Sequence, residues 1–121
     1  MKQKIGGVLI FAALTFCLYS GCVTAKKDGV SYQLYGNSPE KVIVRHDWMG
    51  DSSNYETNQR YLDSKRFTFA FIDIRGYGKS KGLSGPFTAS QAGNDAFDLA
   101  EKLGWRKFNV VGHSMTGMVV Q

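Results

Sequence analysis

A serine that could act as a nucleophile stands near the end of the sequence, in VVGHSMTGMVVQ. Ser114 follows a short apolar run and precedes a helix-like segment, and a sharp turn between a strand and a helix holds a serine hydroxyl clear of the sheet. Gly112 fills the small position two residues before the serine, whereas Thr116 occupies the second small position and Gly117 follows it. The pattern favours a nucleophilic serine over an ordinary turn, with a bend altered by the stiff threonine.

A nucleophilic serine normally needs a neighbouring base that takes its proton. The sequence holds two histidines, His46 and His113, and extends only seven residues beyond Ser114. Because His113 is adjacent to the serine, its side chain is expected to leave the strand on the side opposite the Ser114 hydroxyl. Two histidines and scattered carboxylates also lack the spacing of metal ligands, so we expect neither a metal nor a cofactor.

The elements that must position these residues alternate along the sequence. Four runs predict strands, namely GVSYQLYG at a half-exposed edge and KVIVRH, FTFAFID and KFNVVG in buried positions. Helical spacing predicts helices over about Asn54 to Ser64 and over Thr88 to Leu103, and MTGMVVQ begins another. Short strands alternating with helices indicate the α/β class, with a mostly parallel sheet and flanking helices.

The loop DIRGYGKS imitates the end of a phosphate-binding loop at Gly78, Lys79 and Ser80. That motif requires a glycine five residues before Gly78, where Asp73 stands, and it requires a helix directly behind the loop. A proline turn follows instead, so the aligned N–H groups of a helix N-terminus are missing. The sequence therefore argues against nucleotide binding.

The first residues have the order of an export signal. Two lysines precede an apolar run of about fifteen residues, which is shorter than the roughly 20 residues that a membrane-spanning helix needs. Ser20 and Gly21 then lead into Cys22, which resembles the lipobox of bacterial lipoproteins apart from Tyr19 where leucine is usual. The resemblance implies that residues 1–21 are removed and that Cys22 carries the lipid. An ordinary cleaved signal and an uncleaved anchor are the alternatives.

Cleavage before Cys22 would leave one cysteine, a tether over residues 22–28 and a domain over residues 29–121. The formal net charge would fall from +5 to +3 through the loss of two lysines, and the remaining charges form no basic stripe. We therefore expect no nucleic-acid partner. The protein is expected to be exported and lipid-anchored to a bacterial membrane, on its periplasmic or cell-surface side.

Four segments together resemble the N-terminal half of the α/β-hydrolase superfamily, over residues 29–121. GVSYQLYG resembles the opening strand of that family, and VIVRHDWMG resembles an apolar strand followed by the H-G-x-x-G loop. FIDIRGYGKS resembles the D-x-R-G-x-G-x-S segment, and VVGHSMTGM resembles the turn that carries the nucleophile. All four occur in the family's order.

The resemblance implies that Ser114 attacks the acyl carbon of a substrate. The backbone N–H groups of Met115 and Trp48 would then form the oxyanion hole. Asp47 stands where the family usually has glycine. Because aspartate tolerates left-handed backbone angles, the loop is expected to survive the change, with the carboxylate pointing outward.

The resemblance gives the remaining motif residues structural roles. His46 would hold the oxyanion loop rather than act as the catalytic base. Asp73 and Arg75 would stabilise their loop as a pair, and Gly112 would let strand and helix approach. His113 would shape the turn or the acyl pocket.

In the resembled family the catalytic acid and histidine follow the serine, and neither is present in MTGMVVQ. The sequence is therefore expected to be a partial domain, truncated after the strand that leads to Ser114, and inactive by itself. The full-length form is expected to hydrolyse small ester-type substrates through an acyl-enzyme. A non-catalytic lipid-anchored binding module and a cofactor-free perhydrolase or haloperoxidase-like enzyme remain as alternatives.

Overall fold

The computed structural model describes residues 29–121, so the predicted signal, Cys22 and the tether lie outside the described residues. Four strands and two α-helices follow one another in this part of the chain. In chain order they are β1 (Tyr32–Tyr35), β2 (Glu40–Arg45), α1 (Glu56–Gln59), β3 (Phe67–Ile72), α2 (Ala89–Lys102) and β4 (Asn109–Gly112). Single 3₁₀ turns occupy Ser52–Tyr55, Gly78–Ser80 and Ser114–Met118.

The four strands form one sheet in the order β1-β3-β2-β4. Strand β1 runs antiparallel to β3, whereas β2 is parallel to both β3 and β4. The predicted α/β class with a mostly parallel sheet is therefore confirmed. Because the carboxyl ends of parallel strands meet at one edge, the residues that follow β2, β3 and β4 are brought together there.

Apolar side chains cover both faces of the sheet. One face packs against α2, and its buried members are Val30, Ile43, Ala70, Ile72, Ala96, Leu99 and Ala100. The other face holds Val42, Val44 and Phe71 beneath Tyr55, Leu62 and other partly buried side chains. Each larger apolar side chain buried in this way stabilises the fold by about 1.5–3 kcal/mol. This packing fixes the ends of the strands, where the polar residues lie.

Helix α2 is the element that the sequence predicts best. Its N-cap Thr88 accepts a hydrogen bond from the backbone N–H of Gln91, and Gly104 ends the helix with a φ of +70°. The cap, the apolar spacing and the terminal glycine all lie in the local sequence, so the predicted span of Thr88 to Leu103 differs from the observed helix by one residue at each end.

The helix predicted over about Asn54 to Ser64 is wrong in length, since only Glu56–Gln59 is α-helical. The Asp63 carboxylate accepts the backbone N–H groups of Lys65 and Arg66, and this turn competes with a longer helix. Strand β4 also differs from the prediction of a buried strand. It lies at an edge of the sheet, and Val111 is 48% exposed.

Among residues 29–121, no helix combines the length and the apolar composition that crossing a membrane would require.

Candidate active site

The turn after β4 places Ser114 in a strained backbone conformation. Its φ is +55°, in the left-handed region that non-glycine residues rarely adopt, and its side chain is exposed at the carboxyl edge of the sheet. Such a conformation costs about 1–3 kcal/mol and persists only where the surrounding structure holds it. A 3₁₀ turn over Ser114–Met118 follows directly, so the hydroxyl is lifted out between strand and helical turn.

Gly112 allows the chain to fold back at this turn. A Cβ atom on Gly112 would lie 2.3 Å from the carbonyl oxygen of Thr116 and 2.8 Å from the backbone nitrogen of Gly117. Both distances are shorter than any ordinary contact, and both atoms belong to the backbone. A Cβ on Gly117, in contrast, would lie 3.7 Å from the Gly112 carbonyl oxygen. The close approach therefore depends on the glycine before the serine.

Thr116 ties this turn to the loop after β2. Its side chain is buried, and its hydroxyl accepts a hydrogen bond from the backbone N–H of His113 at 2.9 Å. The hydroxyl oxygen also lies 3.0 Å from the carbonyl oxygens of His46 and His113, to which its hydrogen can be donated. The sequence indicates only that threonine alters the bend, whereas the structure gives it a bridging contact between two loops.

We expect Thr116→Val to loosen that connection. Valine preserves the shape but removes the 2.9 Å acceptor of the part-buried His113 N–H, which keeps only the Arg45 carbonyl oxygen at 3.4 Å, so the change should cost about 1 kcal/mol. Urea unfolding of the 121-residue chain measures the effect, and Thr116→Ser serves as the matched control because it keeps the hydroxyl. Equal unfolding midpoints for the valine and serine variants would contradict the bridging role.

His46 is buried at the end of β2 and is held by backbone groups on both sides of its ring. Its Nε2 atom accepts the N–H of Ile74 at 2.9 Å, which leaves the proton on Nδ1. Nδ1 then donates to the carbonyl oxygen of Asp47 at 2.7 Å. With both nitrogens occupied, the ring fixes the loop after β2 against the end of β3 and has no free nitrogen for proton transfer.

The loop after His46 carries the second candidate oxyanion donor. Trp48 is 66% exposed at this edge of the sheet. The left-handed conformation expected at Asp47 falls instead on Met49, whose φ is +63°. The Asp47 carboxylate is half-exposed and accepts from the amide of Asn54 at 3.3 Å, and its other oxygen lies 3.9 Å from Nδ1 of His113. It therefore points along the loops rather than freely outward.

Asp73 does not form the predicted pair with Arg75. Its buried carboxylate accepts the backbone N–H groups of Ser52 at 2.7 Å and of Lys79 at 2.8 Å. These bonds join the loop after β2 to the loop after β3. Asp73 therefore stabilises its loop through backbone donors rather than through the predicted pairing with a cation.

Arg75 is bound by helix α2. Its Nε and Nη2 atoms donate to the two carboxylate oxygens of Asp95 at 2.9 and 2.6 Å, and Nη1 donates to the carbonyl oxygen of Ser84. The hydrogen bonds to Asp95 raise the pKa of the Arg75 guanidinium above its ordinary value. This bidentate contact fixes the loop after β3 against α2.

Within residues 29–121, no histidine forms a hydrogen bond with the Ser114 hydroxyl. The side chain of His113 is 68% exposed and is directed toward Asp47. His113 does not line the cavity beside the turn, but its backbone N–H donates to the Thr116 hydroxyl, so of the two predicted roles the one in the turn remains. The described residues contain no group of three or more side chains that could hold a metal ion.

Arg45 is the functional candidate that the sequence does not reveal. It ends β2 immediately before His46, and it is 1% exposed at the wall of a cavity of about 310 Å³. Met115 and Thr116 of the turn line the same cavity. An arginine at the end of an apolar strand is a local signal, but its burial depends on packing between the sheet and α2.

Comparison with known proteins gives consistent results. A family model described as the alpha/beta hydrolase fold matches residues 42–121. A Caulobacter sp. (strain K31) protein named as a carbamate hydrolase, RutD, is 29% identical over 93 residues, covering 74% of this chain and 35% of that protein. The chain thus spans about a third of that relative's length.

Two solved structures show the same relationship. The enol-lactonase from Burkholderia xenovorans LB400 has a TM-score of 0.67 and 27% identity, over 74% of this chain and 35% of that one. An esterase from a marine microorganism has a TM-score of 0.68 and 23% identity, over 75% of this chain and 34% of that one. The second likeness concerns the fold alone.

Proposed function

The chain belongs to the α/β-hydrolase fold family, and on that premise we propose that Ser114 is the nucleophile of a serine hydrolase acting on ester-type bonds. The observation that carries the proposal is the φ of +55° at Ser114. Ser114 lies between a strand and a helical turn in a strained backbone conformation, and Gly112 allows the chain to fold back there. This is the geometry of an exposed nucleophile.

In the proposed reaction the Ser114 oxygen attacks the carbonyl carbon of the ester. The Ser114 proton passes to a base, the base gives this proton to the departing alkoxide, which leaves as an alcohol, and the acyl group remains on the serine. Water then attacks the acyl-enzyme and releases the carboxylic acid and the free serine. Among residues 29–121 no side chain forms a hydrogen bond with the Ser114 hydroxyl, so the proposed reaction requires a base that these residues do not supply.

The backbone N–H groups of Met115 and Trp48 are proposed to stabilise the negative oxygen formed in each step. One donor of this kind contributes about 3–4 kcal/mol to the transition state. Thr116 supports the arrangement because its hydroxyl lies 3.0 Å from the His46 carbonyl oxygen and thus joins the loops that carry the two donors. The name of one relative, an enol-lactonase at 27% identity, supports a carbonyl substrate with an oxygen leaving group.

Hydrolysis of p-nitrophenyl acetate tests the proposal. We expect turnover by the complete gene product that contains this sequence, and no rate above buffer for the 121-residue chain. The second expectation follows from the missing base. Absence of hydrolysis by the complete product, tested with acetate, butyrate and octanoate esters, would contradict the proposed function and favour a binding module.

We also propose that Cys22, outside the described residues, anchors the protein to a bacterial membrane. The support is the sequence pattern alone, a short apolar run followed by Ser20 and Gly21. Metabolic labelling with an alkyne fatty acid in a bacterial host should mark the wild-type protein, and Cys22→Ala should lose the label. Cys17→Ala is the matched control and should retain it, whereas an equally labelled Cys22→Ala protein would contradict lipidation.

A further inference from the structure

A cavity beside the Ser114 turn contains an unusual cation. The cavity lies between the sheet, the loop after β3 and the first turns of α2, and its volume is about 310 Å³. This is the lower end of the range for small-molecule sites. Its apolar walls include Ile74, Phe87, Met115 and Met118, and the buried Arg45 also lines it.

Arg45 is buried without a complete set of partners. The residue is 1% exposed, and its Nε atom is buried with no hydrogen-bond partner in the described part of the chain. Leaving a buried donor of a charged group unpaired is costly, so a partner such as a water molecule, an anion or another ligand is expected there. Burial lowers the pKa of the Arg45 guanidinium, and the charge of Asp95 opposes that effect. The group nevertheless remains a cation at neutral pH.

The charges around the cavity leave one positive charge uncompensated. Asp95 is the nearby carboxylate, and both of its oxygens bind Arg75, while one of them also accepts the amide of Gln91. Arg75 and Asp95 therefore compensate each other as a bidentate pair. The remaining charge is that of Arg45, and a single carboxylate group would match it in sign and in hydrogen-bonding geometry.

We propose that this cavity binds a carboxylate through Arg45, and that the acyl group of the substrate carries this carboxylate. The assignment to an acyl group rests on the proposed hydrolase function, because Met115 both follows the nucleophile and lines the cavity. The apolar walls suit a short methylene chain between the ester carbon and the carboxylate. The substrate class is thus the half-esters of short dicarboxylic acids.

Methyl-labelled methionine NMR on the 121-residue chain tests the carboxylate site without any need for turnover. Met115 and Met118 line the cavity, and Met49 lies outside its walls, so it reports non-specific binding. Monomethyl glutarate should shift the signals of Met115 and Met118 saturably, and that of Met49 should stay in place. Dimethyl glutarate has nearly the same shape without the charge, and it should bind at least about tenfold more weakly.

Variants provide the second arm of the test. Arg45→Met should lower the affinity for monomethyl glutarate about tenfold, to the level of the diester. Arg106→Met removes an exposed cation outside the cavity and should leave the affinity unchanged. If Arg45→Met fails to fold, the comparison of the two esters on the wild-type chain still decides the matter.

Equal affinities of the two esters for the wild-type chain would overturn the carboxylate site. Unchanged monoester binding by a folded Arg45→Met variant would also overturn it. If the complete gene product hydrolyses simple esters, either of these two results would leave the proposed function intact. Conversely, selective monoester binding in a product that hydrolyses no ester would support the carboxylate site and remove its assignment to an acyl group.

Discussion

Replacing Ser114 by alanine is expected to lower kcat/KM for ester hydrolysis by the complete gene product about 10⁴- to 10⁶-fold. Loss of a catalytic serine has effects of this size because every other catalytic group acts through it. Steady-state assays with p-nitrophenyl acetate measure the change. A residual rate within tenfold of the wild type would show that another residue performs the attack.

The backbone strain at Ser114 supplies a control that activity alone does not give. Glycine adopts a φ of +55° without the steric strain that alanine has there. The free energy of unfolding of Ser114→Gly should therefore be about 1 kcal/mol higher than that of Ser114→Ala. Both variants should be equally inactive. Equal stability of the two variants would indicate that the turn is relaxed and would contradict a strained nucleophile at Ser114.

Gly112→Ala is expected to have the largest effect on stability. The added Cβ would lie 2.3 Å from the carbonyl oxygen of Thr116, and backbone atoms on both sides of the turn would have to move. We expect a loss of about 3 kcal/mol in the free energy of unfolding, together with loss of hydrolysis in the complete product, because the Ser114 turn itself would open.

Gly93→Ala is the matched control for that substitution. A Cβ at Gly93 would meet nothing within 4 Å, and the residue lies inside helix α2. Alanine should therefore stabilise the chain by about 0.5–1 kcal/mol. Urea unfolding of the two variants should move in opposite directions, and a Gly112→Ala protein as stable as wild type would contradict the observed turn.

Much of the fold follows from local signals in the sequence. Helix α2 has a capping threonine, an apolar spacing and a terminal glycine, so its limits can be predicted to within one residue. The apolar run before His46 and the run ending in FID predict β2 and β3 because they pack on both faces of the sheet. The position of Ser114 after a strand is predictable from the short apolar run before it, although that strand lies at an edge of the sheet.

The remaining features depend on contacts between distant segments. The hydroxyl of Thr116 lies 3.0 Å from the carbonyl oxygen of His46, 70 residues earlier, and no local pattern encodes that contact. Asp73 and Arg75 are two residues apart, yet one binds backbone groups and the other binds α2. Arg45 becomes a candidate ligand-binding residue only because α2 and the Ser114 turn enclose it.

The helix predicted after β2 is shorter than expected for a local reason. Polar residues that favour a helix start also favour turns, and Asp63 uses its carboxylate for a turn. The segment is also largely exposed, with Tyr61 at 74%, so packing does not extend the helix. Sequence periodicity cannot distinguish these outcomes when few of the side chains are buried.

The central proposal is that Ser114 is a nucleophile that faces two backbone donors. Its most direct test is a crystal structure of the complete gene product after treatment with a p-nitrophenyl phosphonate. We predict a covalent bond between phosphorus and the Ser114 oxygen, with the phosphoryl oxygen about 3 Å from the backbone nitrogens of both Trp48 and Met115. Phosphorus attached to another residue, or a phosphoryl oxygen that contacts neither nitrogen, would contradict the account.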